Sequence, residues 1–265
     1  MHLRVRAFTG LACSLAWSAS VAAQSSGTDP HAVQPQRPTV ATHAGTVARG
    51  WIEFEAGTEV DHYDDDAVGN VTPVLAKIGL AKRTQLELQA PVVWAPGDGG
   101  SGVGDFSVGV KFRLLDDAPL VADLAVLPSV KIPTGSRDAG TGTGTVDVGI
   151  LLISSHELGP VAMDLNVGYT RRSGDGTAAP KNATIWTASF GGPAYGPIGW
   201  VAELFGYPAT GGFTGGDSTM AFLTGPTFRI QRWLVLDAGV ILPVRGPLPR
   251  AFYTGLTYNT GRLWQ

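Results

Sequence analysis

The chain is poor in sulfur: Cys13 is its one cysteine in 265 residues, and it lies in an N-terminal stretch that reads as a leader. The mature protein is therefore expected to form no disulfide and no cysteine-bound metal site. Long apolar runs are missing too. No stretch reaches the roughly eighteen apolar residues of a membrane helix, so passage through a bilayer is open to this chain only as a closed barrel of strands. Charge is sparse, at 15%. Once Arg4 and Arg6 leave with the leader, 17 basic residues stand against 22 acidic ones, a net charge of −5. That balance excludes nucleic acid as a partner, because a polyanion is held by clustered Lys and Arg. Histidine is scarce: outside the leader there are only His31, His43, His62 and His156.

Residues 1–23 have the layout of a secretory signal peptide. Arg4 and Arg6 form the positive region, Ala7 to Val21 an apolar stretch too short to span a bilayer, and Val21-Ala22-Ala23 a small-residue cleavage site before Gln24. Gly10 stands where a lipoprotein signal would want Leu, so Cys13 is not read as a lipid anchor. Residues 24–47 follow a different rule: Ser25-Ser26-Gly27, Pro30, Pro35 and Pro38 break any periodicity, which marks a flexible tail, either periplasmic or plug-like. Residues 48–265 remain as one β-domain.

In that domain apolar and polar residues take turns. Phe106, Val108, Val110, Phe112 and Leu114 fall on one face of a segment whose other face carries Asp105, Ser107, Lys111 and Arg113. A period of two is the period of a β-strand. Turn signals divide the chain into twelve such strands, at about 50–61, 70–82, 84–94, 104–115, 119–132, 145–155, 160–171, 182–191, 198–207, 218–230, 232–243 and 250–264. Their connections alternate between short turns and longer loops rich in Gly, Pro and Asp, the pattern of an outer-membrane barrel with turns in the periplasm and loops outside. The predicted fold is all-β, a single antiparallel up-and-down transmembrane barrel.

Charge separates the two faces. With Phe54, Ile78, Leu88, Leu124, Ile150, Leu165, Leu204, Phe222 and Leu256 turned to lipid, that parity holds no charged residue in mid-strand. The opposite parity collects Glu53, Glu55, Glu59, Lys77, Glu87, Asp105, Lys111, Arg113, Asp123, Lys131, Asp147, Asp164, Glu203, Arg229 and Asp237. A Lys or Arg facing lipid at the midplane costs about 2–4 kcal/mol, which drives this sorting. Lys82, Arg171, Arg232, Arg250 and Arg262 take the outward parity, but at strand ends, where the cost falls to about 0–1 kcal/mol and a long stem can snorkel. Trp94, Tyr169, Trp233 and Trp264 also lie near strand ends, as interfacial aromatics do.

Other chemistry is weakly supported. Barrel hydrolases set a Ser beside a His at the membrane rim, but Ser155 and His156 are neighbours on a strand and point to opposite faces. No enzyme activity and no cofactor are expected. Asp61, Asp64, Asp65 and Asp66 form an acidic loop cluster without the glycine and bidentate glutamate of a calcium loop, so a solvated loop is the favoured reading. The glycine runs at 97–104 and 139–144 lack the Gly-Lys-Ser/Thr of a phosphate loop and are read as outer loops, mobile or folded inward.

Three motifs then carry a resemblance. Ser101-Gly102-Val103-Gly104-Asp105 leading into Val108 to Leu114, Val130-Lys131-Ile132-Pro133-Thr134-Gly135-Ser136, and Leu165-Asn166-Val167-Gly168-Tyr169 resemble, in that order, the signature of the outer-membrane transporter-like family named for the meta-pathway of phenol degradation. The segment from Gln36 to Gly50, with Glu53-Phe54-Glu55, is similar to the family's entry into its first strand. The resemblance implies a Gram-negative outer-membrane barrel that passes small, often hydrophobic or aromatic compounds.

Two functions stay open: a passive channel for such molecules, or a structural or surface-binding barrel without flux. The expected partners are outer-membrane lipid and a small-molecule solute, and the sequence leaves the oligomeric state undetermined. The inward charges are read either as a solute-selecting eyelet or, preferably, as pairs across a narrow hydrated lumen. Many inward positions are small, among them Gly79, Ser107, Gly109, Gly149, Gly168, Gly239 and Gly255, so space remains for residues 24–47 in or against the periplasmic mouth.

Overall fold

The computed structural model describes residues 29–173, 180–211 and 216–264. The leader, with Cys13, lies outside the described residues. Fifteen strands follow in order: β1 (Trp51–His62), β2 (Val68–Thr72), β3 (Val74–Ala81), β4 (Thr84–Gln89), β5 (Val92–Trp94), β6 (Ser101–Val103), β7 (Phe106–Ala118), β8 (Ala122–Ile132), β9 (Asp147–Leu158), β10 (Val161–Arg172), β11 (Asn182–Tyr195), β12 (Ile198–Tyr207), β13 (Thr219–Gln231), β14 (Leu234–Arg245) and β15 (Arg250–Arg262).

Twelve of them close a circle. β1 pairs with β3, then the order runs through β4, β7 and each strand from β8 to β15, and β15 returns to β1 over Trp51↔Arg262 to His62↔Arg250. Every pairing is antiparallel, so each strand folds back on its neighbour and no barrel edge is left open. The other three strands are pieces that the alternation alone joins to their neighbours. Pro73 separates β2 from β3 and Pro91 separates β4 from β5, because proline brings no N–H to the ladder. β2, β5 and β6 pair with one another above β1, extending the first hairpins past the loop rim as a short ribbon.

The short turns gather at one rim, where Gly159 and Gly196 adopt positive φ values of 66° and 54° that a side chain would oppose. The opposite rim carries the longer loops. Two of these are joined: Gly100 N–H donates to Ala139 O at 2.9 Å, and Gly135 and Thr143 donate backbone N–H groups to the Asp105 carboxylate.

Parity along the strands holds. Val148, Ile150 and Leu152 of β9 and Phe252 of β15 are exposed on the outside, while Asp147, Ser155, Asp164 and Asp237 are buried on the inside. Trp94, Tyr169 and Trp264 are exposed near the rims.

The lumen and the segment inside it

The interior is occupied by the chain's own residues 29–50. The segment enters at the short-turn rim. There Asp29 pairs with Arg232 at 3.1 Å, Val33 N–H donates to Arg232 O at 2.9 Å, and the His31 ring lies 5.1 Å from Trp51 and 6.4 Å from Trp233. An extended segment without a ladder needs partners for its N–H groups. The lumen side chains supply them. Gln34 N–H donates to Glu53 at 2.8 Å, and Gln36 and Arg37 N–H donate to the two oxygens of Glu55 at 2.7 and 3.0 Å. Lys77, fully buried, pairs with both carboxylates, at 2.6 Å from Glu53 and 2.5 Å from Glu55, and also donates to Gln34 O.

Arg37 is seated in a socket of the wall. Its guanidinium lies 3.2 Å from Asp237 and donates to Thr254 O, and a Cβ on Gly57 or on Gly255 would fall 2.4 Å from it. Gly57 and Gly255 face each other across the β1–β15 pairing, and Asp237 is the register partner of Gly255 on β14. Two cross-strand glycines thus make the hollow and a carboxylate holds the charge.

The segment then crosses the lumen. Val40 and Ala41 donate N–H bonds of 2.8 and 2.7 Å to the two oxygens of Glu203, and Thr42 exchanges two bonds with the Asn166 amide at 2.8 and 2.9 Å. Ala44 N–H donates to Ser155 Oγ, whose hydroxyl in turn donates to Asp164 at 2.6 Å. On the return, Lys111 donates to Thr42 Oγ1 and His43 O, and Val47 N–H meets Gln85 at 2.7 Å. The chain then passes over Gly79, where a Cβ would stand 2.1 Å from Ala48 O, and enters β1. Burial, with Lys111 and Lys77 close by, pushes the His43 imidazole well below its ordinary range, so the ring is held neutral.

Of the fifteen charged residues of the inward parity, all but Glu59 are the candidate lumen residues, and these fourteen fall into separate groups. Glu53, Glu55, Lys77, Glu87, Lys111, Glu203 and Asp237 engage the segment directly, and Asp164 acts through Ser155. Asp105, Lys131 and Asp147 form a cluster toward the loop rim with Arg172, the Lys131 ammonium lying 2.5 Å from Asp105 and 3.3 Å from Asp147. Arg113 and Asp123 pair at 2.6 Å near the short turns, with Asp116 beside them. Arg229 borders a cavity at the short-turn rim, beside Gly196 and Pro197.

Several expectations change with the geometry. Lys111 does not stand at a hydrated position: it is fully buried, with Glu87 at 3.5 Å, Thr42 and His43 as partners. The small inward residues do not all make room for the segment. Gly79 and Gly255 do, whereas Gly109 accommodates Leu127, Gly168 accommodates Ile185 and Leu151, and Gly239 lies beneath the Tyr253 ring. The serine that meets His156 is Ser154, two residues away on the same face, at 2.8 Å. Asp61 is buried at the end of β1, while Asp64, Asp65 and Asp66 are exposed, and among the described residues no group of three or more His, Cys, Asp or Glu is arranged for a metal ion.

The sequence reading also missed residues. Gln34, Gln36, Gln85 and Asn166 carry no charge and gave no parity signal, yet each bridges wall and segment. A second omission is a buried apolar cluster inside the barrel: Phe205, Leu223, Ile241 and Tyr253 pack with Val201, Ala221 and Ala251, and Leu248 of the last loop packs against them.

A family model described as "Putative MetA-pathway of phenol degradation" matches residues 36–244, from within the inner segment to the end of β14. The chain belongs to this family. Among solved structures, the chain is similar to an outer membrane channel from Pseudomonas putida F1, at 15% identity and a TM-score of 0.65, covering 84% of this chain and all of that one. It is also similar to the KdgM porin, at 10% identity and a TM-score of 0.53 over 78% of this chain and 98% of that one. At such identities the likeness concerns the fold. Among curated proteins none matches the family member in sequence.

Proposed function

We propose that the protein is a passive channel of the Gram-negative outer membrane for small, mainly hydrophobic or aromatic molecules, exported with a leader of residues 1–23 that is cleaved before Gln24. One observation carries the reading. The interior is filled by a segment held through hydrogen bonds and ion pairs to polar side chains of the wall, so the barrel contains an opening that its own chain occupies. A barrel built only to be rigid has no use for such a separable filling. The outer face, without charge in mid-strand, supports the membrane setting, and the family and the channel fold support transport. The lumen residues named above then act chiefly by seating the segment, which restricts flow.

Solute entry into proteoliposomes tests this. Full-length protein should admit a small aromatic solute faster than empty vesicles, and deletion of Ser25 to Thr46 should raise the rate while leaving barrel yield unchanged. Equal rates for empty, full-length and deleted samples would favour a structural barrel without flux.

A further inference from the structure

The cations at the two rims have different surroundings. At the short-turn rim Arg232 pairs with Asp29 at 3.1 Å, Arg262 donates to Trp264 O at 2.8 Å, and Arg83 is held by Asp116. At the loop rim Arg245 and Arg250 stand at the two ends of the β14–β15 loop, exposed and with no ion pair or hydrogen bond among the described residues. Arg250 shares the outward parity of Phe252 and lies opposite His62 of β1. Arg245 reaches the same face through a bulge. The β13–β14 register shifts between Met220 and Ala221, so that Ala221 faces Pro243 while Met220 faces Arg245. Without the extra residue Arg245 would follow Ile241 and Pro243 into the lumen; bulges at barrel rims commonly re-aim a side chain in this way. The His62 ring meets Phe252 edge-on at 6.0 Å and 87°, which keeps it on the outer face beside Arg250. On the membrane side of the group lie Leu242, Val244 and Phe252, all exposed. On its loop side, past the strand ends, lie the exposed carboxylates of Asp64, Asp65, Asp66 and Asp217, none of them paired with either arginine.

We propose that Arg245 and Arg250, with His62 beside them, bind the phosphate of an anionic lipid in the outer leaflet, whose acyl chains lie on Leu242, Val244 and Phe252. This rests on the outer-membrane setting with the loop rim outside, and is independent of the passage of solutes. Each guanidinium presents a planar fork of N–H donors that fits two phosphate oxygens. A free phosphate would meet only these exposed forks, where a charge pair is worth about 0–1 kcal/mol. It would also approach from the loop side, past the four aspartates. A lipid phosphate comes instead from the membrane side. Its chains bury apolar surface against the outer face and hold the head group at the depth of the two arginines. The order along the wall, apolar, then cationic, then acidic, thus matches acyl chain, phosphate and the hydrated layer beyond it.

Native mass spectrometry of the full-length protein in detergent micelles, titrated with lipid A, tests this. Wild-type protein should retain lipid A, and Arg245→Gln combined with Arg250→Gln should bind it about tenfold more weakly. Arg171→Gln, which removes a lone outward arginine from the same rim on β10, should bind within about twofold of wild type. Dephosphorylated lipid A should bind wild-type protein no better than the double variant, and a millimolar excess of inorganic phosphate should leave lipid A in place. Heat-modifiable migration shows that each variant is a folded barrel; Arg250→Gln alone, with a loss of about threefold, replaces the double variant if that fails to assemble. Equal binding of lipid A by wild type and the β14–β15 variants, or of lipid A and its dephosphorylated form by wild type, would overturn the inference. An equal loss in Arg171→Gln would reduce the paired site to general rim charge and overturn it as well. Displacement of lipid A by inorganic phosphate would assign the arginines to a soluble anion and refute the lipid.

Discussion

Replacing Lys77 with methionine should expel the inner segment from the lumen. Methionine keeps most of the stem and removes the ammonium, which is fully buried between Glu53 at 2.6 Å and Glu55 at 2.5 Å. Both carboxylates are themselves buried, and stripping a buried ion pair of one partner costs about 3–5 kcal/mol, because the remaining charge is left uncompensated. Water cannot reach them while Gln34, Gln36 and Arg37 lie across them. The cost therefore falls on the docked state: once the segment leaves, the carboxylates hydrate. At about 1.4 kcal/mol per factor of ten, the docking equilibrium should shift by roughly two to three and a half orders of magnitude. The assay is the labelling of Ala44→Cys, a fully buried position, by a membrane-impermeant maleimide applied to both faces of the membrane. Labelling should rise steeply in Lys77→Met and return toward its original rate when Glu53→Gln and Glu55→Gln are added. If Lys77→Met labels as slowly as its parent, the ion pairs do not hold the segment and the reasoning is wrong.

Other outcomes follow from the same geometry. Val110→Arg or Leu124→Arg, each placing a cation on the outer face at a cost of about 2–4 kcal/mol, should lower the yield of heat-modifiable barrel, whereas Lys111→Gln should assemble normally but increase Ala44→Cys labelling, because the bonds to Thr42 and His43 are weakened. Gly79→Ala should free the 47–48 stretch, whose backbone lies 2.1 Å from the added Cβ, and so speed labelling of Val47→Cys. Acid should loosen the segment through His43. Its docked pKa lies below the free value of 6.5, so docking is at full strength above that pH and weakens as pH falls below it, with Lys77, Lys111 and Arg113 facing the ring. Ala44→Cys labelling, normalised to unfolded protein, should therefore rise between pH 7.5 and 5.5, and His43→Gln should flatten part of that rise.

The barrel was legible because lipid imposes a rule on every second residue, and β1, β7 and β8 each carry several charges that agree on one parity. The strand breaks were less so. Pro73 and Pro91 interrupt ladders without interrupting the alternation. The interior was mostly hidden. In β12 Glu203 fixes the inward parity that Val201 and Phe205 share, but that parity says nothing of their packing with Leu223, Ile241 and Tyr253 of other strands as one apolar cluster. The path of residues 29–50 has no period at all. It is set by contacts between residues far apart in sequence, such as Ala41 with Glu203 and Thr42 with Asn166, and by hollows at Gly57 and Gly255 that exist only once the sheet has closed.

The closure of the sheet also governs the order in which the molecule is made. The socket of Arg37 takes one glycine from the first strand, one from the last, and a carboxylate from the strand before it. An unjoined sheet offers only fragments of it. The segment can therefore settle fully only after the two ends of the sheet have met. Its seating thus depends on completion: a cylinder left unzipped, or zipped with a strand out of step, lacks the assembled socket and leaves Arg37 without its seat.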